Sequence, residues 1–429
     1  MTNTQETRHG GAPESPVDNA GPDNTGPLRG LRVLDLTRIL AGPVCTQLFG
    51  DLGADVIKVE RPGAGDDTRK WGPPYVKGAD EQDTTESAYY LSANRNKRSI
   101  AVDVTKPEGV SLLKRLLHHC DVLVENFKVG GLEKYGLSYT ALKQEFPELV
   151  YCSITGFGQT GPYAEQAGYD YLAQGMGGVM AVTGEPDGQP MKVGIAIADI
   201  MCGMYASTSI LAAIRHRDAT GQGQHIDLAL LDTQVAWLAN VGLNYLTSGN
   251  EPRRLGNQHP NIVPYQVFEA ADGHFILAVG NDSQFGKFCT FAGLEGVAAD
   301  VAYATNEARV QNRDALIPLI EAKTRQSSKA HWLEGLAAIG VPAGPVNTVS
   351  EAFSDPQVQH RGMQISMPHP TAGLNEVSLI GNPIKMSATP VSYRHAPPLL
   401  GQHTDDILAE LLGLGSTELG ALRCAGIIN

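Results

Sequence analysis

One stretch restricts the fold more than any other. Residues 31–60 run from a short apolar segment, LRVLDLT, through AGPVCTQLFGDLGA, with Pro near its start and Gly near its end, to a second apolar segment, DVIKVE. That order reads as strand, helix, strand, with Pro and Gly placed where helix ends tolerate them. Two strands joined by a helical crossover lie parallel, and a parallel sheet is covered on both faces. The order recurs in RSIAVDV, a helix from PEGVSLLKRLLHHC, then DVLVENF, and in a helix YTALKQEF leading to ELVYCSI. An α/β fold is expected, with the first 160 residues forming a Rossmann-like layered domain.

The pattern changes after a helix near 200–217. GQGQHIDLALLDTQVAWLANVGLNYL reads as a strand and then a long helix, and QVFEAADGHFILAVG as two strands around the turn ADG. Helical segments follow to about 340, then a Pro- and Gly-rich stretch with short strands over 341–395, and a closing helix, DDILAELLGL. The expected organisation is a disordered polar tail over 1–26, the large domain over 27–225, a smaller α+β domain over 226–340, and a return to the large domain over 341–429. VGIAIADIMCGMYASTSILAAI, residues 193–214, is the most membrane-like segment. It carries Asp199 and many small residues, so it reads as a buried strand, turn and helix with Asp199 as N-cap. With no apolar leader at the start, the protein is expected to be soluble and cytoplasmic, without membrane partners.

A net charge of −13 argues against a general nucleic-acid binder, although a local basic cluster still suits an anionic small molecule. The six cysteines are scattered without a C-x-x-C pair, so they read as reduced core residues, and no metal site is expected.

Four features carry candidate chemistry. GFGQTG, residues 156–161, matches G-x-G-x-x-G, but Pro162 follows, the helix start is poor and no ribose-binding acid follows at the right distance, so nicotinamide binding is not expected. In AVTGEPDGQPMKVG, Asp187 sits in a tight turn. Its plain reading is a turn Asp; its functional reading is a carboxylate nucleophile whose oxyanion the neighbouring glycine N–H groups stabilise. Arg61, Arg69, Lys70, Arg95, Lys97 and Arg98 form a basic set that reads either as solvated surface or as a phosphate-binding rim. In RLGNQHP, Arg254, Asn257, Gln258 and His259 read either as an exposed loop or as a carboxylate-binding group.

Blocks in order along residues 27–425 resemble the class III CoA-transferase family, the family of formyl-CoA and carnitine-CoA transferases: LRGLRVLDLTRILAGPVCTQLFGDLGADVIKVERPGAGDDTR, NRNKRSIAVDV, DVLVENFKVGGLEKYGL, SITGFGQTGPYAEQAGYD, VTGEPDGQPMKVGIAIADI, TGQGQHIDLALLDTQV, GVPAGPVNTVSEAFSDPQV and PPLLGQHTDDIL. The resemblance implies a ring-shaped subunit, with a large Rossmann-like domain built from both chain ends and a small domain between, and two rings interlocked in a homodimer. It implies that Asp187 is the nucleophile. Asp199 is the competitor, because racemases of the superfamily use an Asp in that block with a His in GHD; here that triplet is Gly168-Tyr169-Asp170, and Tyr cannot titrate near neutrality as His does. It implies CoA contacts at Leu40, Ala41, Arg61, Val102, Asp103, Val104, Thr105, Asn126, Phe127, Lys128 and Lys134, with Gly156 and Phe157 beside that track and glycines there giving CoA room. Asn257 and His259 are the candidate contacts to the acid substrate. CoA and acyl-CoA enter as substrates, and no permanently bound cofactor or metal is expected. The expected reaction moves CoA from a short acyl-CoA, such as succinyl-CoA, to a small di- or hydroxy-dicarboxylic acid through aspartyl anhydride and aspartyl-CoA intermediates. The alternatives are an oxalate- or formyl-type CoA-transferase, a 2-methylacyl-CoA racemase, and a non-catalytic CoA-binding protein.

Overall fold

The structure is a computed structural model that describes residues 26–429; apart from Gly26, the expected tail over 1–26 lies outside the described residues. It falls into two compact units. One contains the chain up to Ser153, Ala206–Ile226 and Ser366–Asn429; the other contains Ile154–Tyr205 and Asp227–Ile365. The second unit thus takes in 154–205, which pattern alone assigns to the large domain, and the chain returns at Ser366, not at 341. The reason is non-local: Leu231 N–H donates to the Gly156 carbonyl at 3.1 Å, and the helix Asp170–Met176 packs on the helix Leu230–Ala236.

The first unit is built on strands β1 (Arg32–Asp35), β2 (Asp55–Glu60), a hairpin of β3 (Tyr75–Lys77) and β4 (Asp83–Ser87), then β5 (Lys97–Ala101), β6 (Val122–Glu125), β7 (Val150–Thr155) and β8 (His225–Ala229). Six of these form one sheet in the order β5-β2-β1-β6-β7-β8, parallel from β5 through β7. The strand order reverses direction between β1 and β6, which makes that edge the topological switch point of a doubly wound sheet. The expected crossover helices are present at Ala41–Asp51 and Pro107–Leu117. Leu113 and Leu116 of the latter pack with Leu34, Ile57, Ile100 and Leu123 of the sheet. Ile407, Leu408, Ile427 and Ile428 from the end of the chain join the same core, so both chain ends build this unit.

The basic set resolves in an unexpected way. Arg69, Arg95 and Lys97 are buried and paired with acids, so they form neither a solvated surface nor a phosphate rim. Arg69 grips both oxygens of Glu60 at 2.8 Å; Arg95 grips both of Asp51 at 2.9 and 2.6 Å; Lys97 reaches Asp35 at 3.2 Å. Half-buried Arg98 pairs with Asp55 and Glu410. Burial pulls the Lys97 ammonium down to about 8 against the attraction of Asp35. For Asp35, burial raises the carboxyl, but Lys97 and Lys58 hold it below its ordinary range. Asp51 also accepts from Asn96 and Asn382, each at 2.8 Å, tying the returning C-terminal segment to the N-terminal half.

In the second unit, β9 (Tyr265–Ala270) and β10 (Gly273–Ala278) form the expected antiparallel hairpin, extended by β11 (Ala343–Pro345). Phe275 stacks on Trp332 with ring centroids 6.0 Å apart, at the centre of a core with Phe268, Phe288 and Leu336. The long helix expected after β8 is two helices, Leu230–Ala236 and Ala239–Ser248, broken where Ala239 takes φ +43.

The segment 193–214 also differs from expectation. No strand precedes the helix, which runs Ile197–Thr220, and Asp199 lies inside its first turn. The cap comes from Asp170, whose Oδ1 accepts from Ala198 N–H at 2.8 Å and Asp199 N–H at 3.4 Å. A partner so distant in sequence is invisible to a local capping pattern. This helix is the one among the described residues that is long and apolar enough to cross a membrane, and less than half of that stretch is buried. All six cysteines are free thiols; Cys45, Cys152, Cys202 and Cys289 are buried.

Candidate active site

The first group of site residues lies at the carboxyl ends of the sheet strands. After β1 the chain passes Arg38 and Ile39 before the helix Ala41–Asp51. Ile39 holds φ +72, a strained conformation for a β-branched residue. Two clamps hold it there. Asn126, just past β6, accepts from Arg38 N–H at 3.1 Å and donates to Arg38 O at 2.7 Å; Asp66 accepts from Ile39 N–H at 3.2 Å. Asp66 is itself fixed by buried Lys58 at 2.9 Å. The loops after β1 and β6 are therefore locked together at the switch point, where doubly wound sheets bind ligands. Leu40 stands at the N-cap without a side-chain cap, and the first turn of the helix Ala41–Asp51 holds no acid.

The other residues of this group flank that point. Arg61 follows β2 and is exposed, with no side-chain partner among the described residues. Val102 follows β5, its N–H bonded to the Glu60 carbonyl at 3.0 Å, so the ends of β2 and β5 stay side by side. Asp103 accepts from both the N–H and the hydroxyl of Thr105, which shapes the Val102–Thr105 turn and holds its carboxyl below the ordinary range. Phe127 N–H donates to buried Glu125 at 2.7 Å; Lys128 is exposed. Burial pushes the Glu125 carboxyl up to about 7 against its hydrogen bonds from Ser153 and Phe127. Lys134 is exposed and lies over the Tyr135 ring at 4.7 Å.

Gly156 and Phe157 follow β7, but the glycines do not open space for a ligand. A Cβ on Gly156 would meet Gly168 Cα at 2.5 Å, so the missing side chain admits another backbone. Gly158 and Gly161 take φ +90 and +97 in turns, and Gln159 N–H is bound by Asp227. Helix resumes only at Asp170, in keeping with the rejection of a dinucleotide turn.

Asp187 is exposed on the turn Thr183–Gly188 of the second unit. Gly188 N–H closes that turn on the Glu185 carbonyl at 3.0 Å, so it is committed inside the turn and not left for an oxyanion. Arg254 staples the turn from outside, donating to Glu185 O at 3.2 Å and Gly188 O at 2.7 Å. Gly256 N–H adds a bond to Gly184 O at 3.1 Å. Arg254 is thus a positioning residue, not a carboxylate ligand. Gln258 is likewise engaged, accepting from Arg313 at 3.2 Å. Asn257 is exposed and His259 half-buried on the stapled segment. His259 Nδ1 accepts from Asn261 N–H at 3.0 Å, and burial with the nearby Arg313 charge holds the imidazole below its ordinary pKa. The neutral ring therefore carries its proton on Nε2.

Asp199, the competing carboxylate, is buried, and burial with the charge of Asp170 pushes it up to about 7. Tyr169 is 61% exposed and lies outside the turn that holds Asp187. Among the described residues no group of three His, Cys, Asp or Glu side chains is arranged to hold a metal ion. Arg313 and Asn261 are residues that pattern did not mark, and Asp170, named only in the Gly168-Tyr169-Asp170 triplet, is a helix cap that pattern did not foresee; these roles become visible only through contacts.

The doubly wound sheet presents a clamped loop at its switch point, and the glycine string after β7 packs against backbone instead of opening a dinucleotide turn. The sequence matches CoA-transferase family III over residues 28–404. It is 52% identical over 390 residues to a succinate–glutarate CoA-transferase of Agrobacterium fabrum, covering 91% of this chain and 97% of the relative. It is 46% identical over 407 residues to the succinyl-CoA:glutarate CoA-transferase of Mus musculus, covering 95% and 91%. A crystal structure of a CaiB/BaiF family protein from Brucella suis, 51% identical, superposes with a TM-score of 0.79 over 90% of this chain and 99% of that one. The chain belongs to the class III CoA-transferase family and is a CoA-transferase.

Proposed function

We propose that this enzyme transfers CoA from succinyl-CoA to glutarate or a closely similar dicarboxylate. The observation that carries this reading is the extent of similarity to succinate–glutarate transferases, 52% and 46% over more than nine-tenths of this chain. CoA lies along the carboxyl edge of the sheet, its phosphates toward Arg61 and the uncapped helix N-terminus at Leu40 and Ala41. The turns Val102–Thr105 and Asn126–Lys128 line its path. Lys134 contributes a point charge without the fork of an arginine.

Asp187 supplies the nucleophile. Its carboxylate oxygen attacks the succinyl thioester carbon, the C–S bond breaks, and CoA thiolate leaves a succinyl–Asp187 anhydride. The thiolate attacks the Asp187 acyl carbon, releasing succinate and forming an aspartyl-CoA thioester. Glutarate attacks that thioester and expels the thiolate, giving a glutaryl anhydride. The thiolate then attacks the glutaryl carbon, which returns the Asp187 carboxylate and frees glutaryl-CoA, with no net proton change.

Steady-state assays with a donor and acceptor panel test the substrates, and mass spectrometry after hydroxylamine treatment in the presence of succinyl-CoA tests the covalent step. A hydroxamate at Asp187 with preferred transfer to glutarate is expected. Transfer without any adduct on Asp187 rejects the nucleophile, and α-proton exchange of a 2-methylacyl-CoA without transfer rejects the whole reading.

We also propose the interlocked homodimer of ring-shaped subunits that the family resemblance implies, in a cytoplasmic setting that keeps the thiols reduced. Exposed apolar side chains on the helix Ala239–Ser248, with Leu246 75% and Leu243 58% accessible, support a large covered face. Interlocked rings cannot separate without unfolding, so light scattering after dilution to nanomolar concentration is expected to report the dimer mass; a reversible shift to monomer rejects interlocking.

A further inference from the structure

Glu125 stands apart from the other buried acids of the first unit. Asp35, Asp51, Glu60, Asp66 and Glu86 each face a Lys or Arg within 3.2 Å. Glu125 is 6% exposed, yet no cation is paired with it among the described residues. Its partners are neutral: the Phe127 N–H at 2.7 Å and the Ser153 hydroxyl. An ionised carboxylate is acceptor-only, so it takes both protons at once, and bonds of this kind are stronger than those between neutral groups. What Glu125 does follows from what those two donors are attached to.

On one side lies the switch-point loop. The bond from Phe127 N–H to Glu125 closes a turn with Asn126 at its middle. Asn126 brackets the Arg38 peptide, accepting from its N–H at 3.1 Å and donating to its carbonyl at 2.7 Å. The next residue is Ile39 at φ +72. A strained residue persists only where its surroundings hold it, so the clamp must itself be fixed, and Glu125 is the side chain that fixes it. On the other side lie two strands. Ser153 stands opposite Glu125 in the β6–β7 ladder, and its Oγ is hydrogen-bonded at 2.9 Å to Nε2 of His225, at the start of β8. The His225 ring stacks on Tyr139 at 5.0 Å and meets Tyr151 edge-on at 5.4 Å, and the Tyr151 hydroxyl donates to the Leu137 carbonyl at 3.0 Å. A polar line thus runs from an anchored ring through Ser153, Glu125 and the Asn126 turn to Arg38. All of these residues belong to the first unit.

We propose that Glu125 is a positioning residue for CoA: through the Asn126 turn it holds the Arg38–Ala41 loop in the shape that receives the acyl carrier, and Ser153 with His225 fixes the carboxylate from behind. Glu125 touches no reacting atom and acts through the loop alone. The inference rests on the reading that CoA lies along this edge of the sheet.

Glu125→Leu removes the acceptor. Glu125→Gln keeps one: its amide oxygen takes the Phe127 N–H, and its amide N–H donates to Ser153, whose hydroxyl turns to His225. After a thermal melt confirms folding, KM for succinyl-CoA is expected to rise about tenfold in Glu125→Leu, the scale of a lost hydrogen bond to a charged group, and to return to within about threefold of wild type in Glu125→Gln. The kcat at saturating succinyl-CoA should stay within about twofold, as for an interaction made equally in ground and transition states. Should Glu125→Leu fail to fold, Ser153→Ala loosens the carboxylate from behind and should raise the same KM by about threefold. Hydrogen exchange of the free enzyme, read by mass spectrometry, follows the coupling without substrate. Peptides over 36–42 and 125–129 should exchange faster in Glu125→Leu and recover in Glu125→Gln, with those over β9 and β10 unchanged. Faster exchange at 125–129 with none at 36–42 overturns the proposal. So does a wild-type KM in Glu125→Leu when Arg61→Ala raises it, and so does a loss confined to kcat. If Arg61→Ala and Asn126→Ala both leave KM for succinyl-CoA unchanged, the placement of CoA is what fails. Exchange at 36–42 then decides separately whether Glu125 holds the loop.

Discussion

The buried ion pairs of the first unit contrast with the exposed Asp187 carboxylate of the second, although that unit also buries the Arg309 end of a pair with Asp282. Around β1, β2 and β5 the ionisable groups are buried and matched: Arg69 with Glu60, Arg95 with Asp51, Lys97 with Asp35, Lys58 with Asp66. In the second unit Asp187 is exposed on a turn held by backbone hydrogen bonds and by Arg254 donating to two of its carbonyls, with no ion pair on its carboxylate among the described residues. Buried pairs contribute specificity of fold at a desolvation cost, and removing one partner leaves an uncompensated charge. An exposed carboxylate on a turn contributes almost nothing to stability and is free to react. The difference separates residues that build the fold from the carboxylate proposed as nucleophile. Substitution in each unit should affect one property and spare the other.

The largest effect is expected at Asp187. Asp187→Ala should lower CoA transfer by roughly 10³-fold or more in steady-state assay. Its melting midpoint should move by less than about 2 °C, because no buried contact is lost. A large loss of stability would break the contrast from that side. Asp51→Ala should do the reverse: it strands Arg95, Asn96 and Asn382, costing about 3–5 kcal/mol in urea unfolding. The turnover per folded molecule should be unchanged.

Glu125 sharpens the comparison through pH. Its folded carboxyl is raised to about 7 from an ordinary 4.5, so the folded state binds this proton more tightly than the unfolded chain does. The resulting stability is full below 4.5 and is lost as pH rises through about 7. At about 1.4 kcal/mol per pK unit, the difference is of order 3 kcal/mol. Glu125→Gln, which mimics the protonated form, should remove that part of the slope in urea titrations at pH 5 and pH 8. The smallest effect is expected at Arg254. Arg254→Met frees the turn and, if Asp187 is the nucleophile as proposed, should lower kcat by roughly 10- to 100-fold through its misplacement. Unfolding free energy should stay within about 1 kcal/mol of wild type. If Arg254→Met leaves kcat intact, the staple does not position Asp187.

Much of the fold was legible because its signals are local. LRVLDLT and DVIKVE are strands because short apolar runs flanking a helix leave no other parallel arrangement, and the hairpin around ADG announced itself in alternation and turn chemistry. Asp187 stood out only as a turn residue until the resemblance gave it a role. The basic residues misled, since Arg and Lys are charged whether they face water or an acid, and sequence does not state which. Gly156 misled for a related reason: a missing Cβ signals close approach but not of what, and the approaching group is Gly168.

By itself, then, the sequence determined the succession of strands and helices, the parallel sheet they require, and the family, because each rests on periodicity, on end signals, or on strings of residues in order. Tertiary structure alone decided which charges are buried, that Asp170 and not Asp199 caps the helix Ile197–Thr220, and that Arg254 holds the Asp187 turn. Buried pairs, caps and the Arg254 staple depend on residues far apart in the chain, and the energy of a pair exists only once folding has brought its members within reach.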